Sequence, residues 1–81
     1  MSMQAHHELI VILITRGQEH LKLEFHTDRA TGLEIKERAG STAADGLYRK
    51  VQGSAVEISD NEVVHLKEGE HFTIVPNGKV S

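Results

Sequence analysis

The stretch Leu9-Ile-Val-Ile-Leu-Ile14 constrains this chain more than any other feature. Six aliphatic residues follow one another without a polar interruption, and four of them are β-branched. A helix could contain such a run. The length suits a strand, however, and Arg16-Gly17 follows at once as a turn signal. The composition is that of a strand buried on both faces, or nearly so, at the centre of a sheet. The remaining residues must therefore supply its neighbours and its cover.

The next segment, Glu19-His-Leu-Lys-Leu-Glu-Phe25, alternates, with Leu21, Leu23 and Phe25 on one side and His20, Lys22 and Glu24 on the other. This is the period of a half-buried strand, and the short turn around Gly17 makes the pair an antiparallel hairpin. Thr31 and Glu34 then form an S/T-x-x-E capping box, which predicts a helix from Gly32 to Ala39. Ile35 and Ala39 share one face of it, Leu33 lies beside them, and Gly40 stands where a left-handed C-terminal cap is expected. A helix this short does not persist alone and needs a sheet to lie on. Ser41 to Gly46 reads as a loop. Leu47–Val51, Ala55–Ile58, Glu62–Leu66 and His71–Val75 read as short strands, divided by turns at Gln52-Gly53-Ser54, Asp60-Asn61 and Glu68-Gly69. The expected organisation is a flexible start over residues 1–7, one domain over 8–76 and a tail over 77–81. A hairpin followed by a helix across one sheet face is an α+β arrangement. Pairing the last strand with the first, in parallel, puts the aliphatic strand at the centre. The expected fold is a ubiquitin-like β-grasp, a mixed sheet of four to five strands with one helix packed across it.

Composition removes several function classes. The chain has 81 residues, enough for one small domain. It contains no Cys, which excludes a disulfide framework, a thiolate zinc site or a catalytic thiol. Twelve acidic against nine basic residues, without a basic run, speak against nucleic acid as a partner. No apolar stretch approaches the ~20 residues of a membrane span. The longest is also too short for the core of a signal peptide, and Glu8 and two His precede it in place of a basic region. A soluble, cytoplasmic protein is expected.

Three segments carry a resemblance. They are Thr31-Gly-Leu-Glu-Ile-Lys-Glu-Arg-Ala-Gly40, Glu57-Ile-Ser-Asp-Asn-Glu-Val-Val-His-Leu66 and Gly69-Glu-His-Phe-Thr-Ile-Val-Pro76. In that order and spacing they resemble the bacterial ubiquitin-like families, above all the multi-ubiquitin domain and related small proteins, over roughly residues 8 to 76. The resemblance implies a protein modifier or a modifier-related module in a ubiquitin-like conjugation system. Its implied partners are activating-enzyme-like, conjugating-enzyme-like and metalloprotease-like proteins, and the chain itself is expected to be a monomer. Such a modifier is processed and attached through a C-terminal Gly, whose lack of a side chain admits it to narrow active sites. This chain departs from the pattern there, ending Pro76-Asn-Gly-Lys-Val-Ser81 without Gly-Gly. Gly78 is the candidate terminus after processing, although Asn77-Gly78 reads more readily as a turn pair. Two alternatives stand beside the modifier: a non-covalent β-grasp interaction module, and a sulfur carrier whose Gly terminus is thiocarboxylated. Ubiquitin-like domains bind partners on the exposed sheet face, and the matching candidates here are Tyr48, Val51 and Thr73, with Arg49 and Lys50 at the rim. The phase of so short a strand is open: Tyr48 faces out, or it closes the core and Leu47 faces out.

Other constellations are weaker. The six His are His6, His7, His20, His26, His65 and His71. Structural zinc sites use ligands in two closely spaced pairs, and only His6-His7 is close in sequence, so no metal site and no cofactor are expected. His65 and His71 would meet only if the last two strands paired. Ser41, Thr42, Ser54 and Ser59 stand in turns, where hydroxyls bond the backbone. Glu34/Glu37 and Glu68/Glu70 read as solvated faces or turns. No nucleophile elbow or phosphate loop occurs, so no enzymatic activity is expected.

Overall fold

The computed structural model describes residues 9–77. The elements run β1 (Ile10–Arg16), β2 (Glu19–Phe25), β3 (Arg29–Thr31), α1 (Gly32–Arg38), β4 (Gly46–Val51), β5 (Ser54–Ile58), β6 (Val63–His65) and β7 (His71–Val75). Five strands form one mixed sheet in the order β2-β1-β7-β4-β5, and β3 and β6 form a separate two-stranded ladder. β1 is parallel to β7, with Ile14 beside Phe72, and antiparallel to β2, with Ile12 beside Leu23. The first and last strands thus lie together at the centre, as the aliphatic run requires. This is an α+β fold with the β-grasp arrangement.

Local chemistry explains each junction. The β1–β2 turn has two residues, and Gly17 sits at its first position with φ +60°, where a tight hairpin demands a glycine. At the helix start, the Thr31 hydroxyl accepts from the Glu34 amide at 3.1 Å, and the Glu34 carboxylate accepts from the Thr31 amide at 2.7 Å. The capping box is therefore complete. Helix entry is crowded as well as capped. A Cβ on Gly32 would stand 2.3 Å from the Ser59 carbonyl oxygen, so only glycine lets the first turn settle on the 58–62 loop. The helix ends at Ala39, and Gly40 follows with φ +81°. The Arg16 guanidinium reaches from β1 to donate to the Ala39 carbonyl at 2.7 Å, a cation at the negative end of the helix.

The core lies between α1 and one sheet face. Ile12, Ile14, Ile35, Leu47, Ile58, Val64, Phe72 and Ile74 are sealed from water. One charge shares this space. Lys36 is 1% exposed, and its ammonium contacts Asp60 Oδ1 at 2.5 Å and the Asp45 carbonyl at 2.8 Å. The stripe Gly32, Ile35, Lys36, Ala39 is a helical i, i+3, i+4, i+7 face, which turns Lys36 inward.

Three expectations need correction. β1 is central but covered on one side only: Leu13 is 37% exposed, because α1 lies on the other face. The segment Glu62–Leu66 does not join the main sheet; its core, Val63–His65, pairs with β3. β3 has three residues, too few to show a period. His65 consequently stands opposite Arg29, not beside His71.

Candidate functional site

The uncovered face of the sheet is the candidate site. Leu47 pairs with Ile58 and Ile74, all buried, so the next residue, Tyr48, points to the open side. That fixes the phase of β4. Tyr48 is half-buried there and lies beside Thr73 of β7. Lys50 lies beside Ala55 of β5. Between them is a shallow groove of about 270 Å³ lined by Tyr48, Lys50, Ala55, Thr73, Val75 and part of Arg49.

The five residues expected to form this surface separate into two sets. Tyr48, Lys50 and Thr73 do face the groove. The Arg49 side chain turns to the helix side, where it pairs with Glu70 at 2.9 Å and lies 5.7 Å from the centre of the Phe72 ring. Val51, in phase with Arg49, is exposed on that same side at the end of the hairpin. Ala55 and Val75 complete the groove instead. Only the cross-strand register brings them there, and no local pattern in the sequence marks them.

At the other end of the open face, Thr15 stands between two histidines. Its hydroxyl is 2.6 Å from His71 Nε2 and 3.5 Å from His20 Nδ1. Leu13, Leu21 and Lys22 border this second depression. Among the described residues no group of three or more His, Asp or Glu side chains could hold a metal ion.

The remaining polar groups are occupied by the fold. Glu34 belongs to the capping box, Glu68 accepts from the Val11 amide at 2.9 Å, and Glu70 pairs with Arg49. These last two are structural, not the solvated turn expected for Glu68/Glu70. Ser41 is buried and accepts from Arg16 at 3.1 Å. Asp45 closes the loop after the helix. Its carboxylate accepts from the Asn77 amide at 2.9 Å and the Thr42 amide at 3.3 Å, and these bonds, that from Asn77 foremost, lower its pKa from the ordinary 3.8. Asp45 thereby holds the last described residue against the domain. Gly78 lies outside the described residues. No helix among the described residues is long and apolar enough to cross a membrane. No protein-family model matches the chain, and no curated protein matches it significantly.

Proposed function

We propose that this chain is a ubiquitin-like protein that acts by binding other proteins through the open face of its sheet, as a modifier or modifier-related module in a conjugation-like system. The observation that carries the reading is the groove between Tyr48, Thr73 and Val75, on the sheet face opposite α1. Tyr offers a rigid amphipathic anchor of the kind that dominates interfaces. Lys50 at the edge of the groove favours a partner with an apolar side chain beside an acidic one. Activating-enzyme-like, conjugating-enzyme-like and metalloprotease-like proteins are the first partners to test. Titrating such a protein into the isotopically labelled chain should perturb amides around Tyr48, Lys50, Thr73 and Val75, and Tyr48→Ala should weaken binding at least tenfold. Perturbation confined to the helix would overturn the reading.

The covalent form of this function uses Gly78. Asp45 supports it by anchoring Asn77, the residue before Gly78. Exposure to a cognate metalloprotease should remove Lys79 to Ser81, read as a loss in intact mass. An unchanged mass leaves the non-covalent module as the better description, and a thiocarboxylate on the trimmed form would indicate sulfur carriage.

A further inference from the structure

The two edges of the main sheet differ in how they are guarded. β2 and β5 are the outer strands, and an outer strand presents backbone N–H and C=O groups that can pair with another chain. Each belongs to a hairpin closed by a two-residue turn. The residues flanking such a turn form a hydrogen-bonded pair, and hydrogen-bonded pairs then alternate along the ladder. On β2 this rule turns the backbone groups of His20, Lys22 and Glu24 outward. The Arg38 guanidinium, stacked 4.7 Å from the centre of the Phe25 ring, donates to the Glu24 carbonyl. The helix thus covers this edge, and charged side chains line it.

On β5 the same rule turns Ala55 and Glu57 outward, because Val51 and Ser54 flank the Gln52-Gly53 turn. The segment Ser54-Ala-Val56 on this edge carries no charge. Val51 and Val56 are 45% and 44% exposed on the helix side of the hairpin.

We infer that β5 pairs antiparallel with β5 of a second copy, about a two-fold axis beside Val56. The register follows from the outward groups. Ala55 of each copy exchanges two backbone hydrogen bonds with Glu57 of the other, and Val56 faces Val56 across the axis as the non-hydrogen-bonded pair. Each side-chain row is then compatible. On the open face, Lys50 lies beside Ala55 in its own copy, and the short Ala55 side chain lets the Lys50 ammonium reach over to Glu57 of the second copy. Two-fold symmetry makes this ion pair twice, and no like charges stand opposite one another. On the helix side, each exposed Val56 is covered by the other. The contact is isologous and closed. It joins two five-stranded sheets into one and places two Tyr48 grooves on the same surface. Its area is that of a single strand pair, so dissociation on the order of 100 μM is expected.

Sedimentation from 10 to 500 μM tests the inference, and those concentrations bracket the expected constant of about 100 μM. The wild-type chain should pass from monomer to dimer, whereas a monomer throughout would overturn it. Ala55→Pro removes an outward amide and leaves the β4–β5 ladder intact, so this variant should keep its circular dichroism and stay monomeric. Glu57→Lys should also weaken the dimer, and adding Lys50→Glu should restore it. A dimer unaffected by Ala55→Pro and Glu57→Lys would overturn the interface. The cysteine-free background allows a direct check of register. Non-hydrogen-bonded partners lie about 4.5 Å apart at Cα, within the range of about 4.4–6.8 Å that a disulfide spans. Val56→Cys should therefore cross-link on mild oxidation at least tenfold faster than the equally exposed Val51→Cys. Equal rates would overturn the register.

Discussion

Along β7, Phe72 and Ile74 turn to the helix and are sealed from water, while His71, Thr73 and Val75 turn to the bare side and stay exposed. The two sides of this sheet share every backbone atom. They differ in what covers them. Beneath the helix lies an apolar core that admits one ammonium, held by Asp60 and two carbonyls. The open side mixes Thr, His, Lys and Tyr around two shallow depressions. Stability is concentrated on the first side, and the proposed recognition surface lies on the second. Substitutions at neighbouring positions should therefore have unequal consequences.

The largest contrast is expected within one strand. Phe72→Ala should destabilise the domain by about 3–5 kcal/mol, whereas Thr73→Ala should stay within about 0.5 kcal/mol of wild type. Urea unfolding of both variants checks this, and comparable losses would erase the distinction between the sides. Lys36→Met asks whether the buried charge belongs to the covered side as structure. Asp60 would lose its cation but keep some contact with water, so the loss should be about 2–3 kcal/mol, below that for a fully buried pair. A more stable Lys36→Met variant would show the pair to be dispensable for folding. Gly32→Ala tests the closeness of the helix to the 58–62 loop. The new methyl must displace the Ser59 backbone, and overpacking of this kind should cost about 1–3 kcal/mol in thermal or urea unfolding.

The smallest effect lies at the seam between the sides, where Asp45 binds Asn77 and Thr42. Its folded pKa is lowered, so its contribution is complete above the ordinary carboxylate value and is lost as pH falls through the lowered one. The stability gap between wild type and Asp45→Ala should be constant near neutrality and close below about pH 4. A gap that persists to pH 2 would remove the carboxylate from this role.

Much of the fold was legible because its signals are local and repeated. The aliphatic run, the alternation of Leu21, Leu23 and Phe25, and the Thr31/Glu34 box each specify an element within a few residues. The helix was expected to end at Ala39, which is its cap, and the parallel union of first and last strands was expected from composition. What escaped depends on distant partners. β3 exists only because β6 lies beside it. Ala55 and Val75 line the groove through cross-strand register. Lys36 was readable in principle, since it sits on the buried helical stripe, but its charge argues for the surface until Asp60 is in place. The resemblance groups Arg49 and Val51 with Tyr48, and strand alternation sends them to the opposite face.

The parallel pairing of β1 with β7 has a consequence for how the chain acquires its structure. During synthesis the β1–β2 hairpin leaves the ribosome before β7, and the inner edge of β1 has no partner until His71–Val75 has emerged. Joining strands so distant in sequence requires a large loop to close first, which slows folding relative to folds built from local contacts. Through that interval the row Ile10, Ile12 and Ile14 remains uncovered and prone to wrong pairing. The residues most responsible for the finished core are therefore the ones that make its assembly most vulnerable, and a chain ending before β7 should aggregate instead of folding.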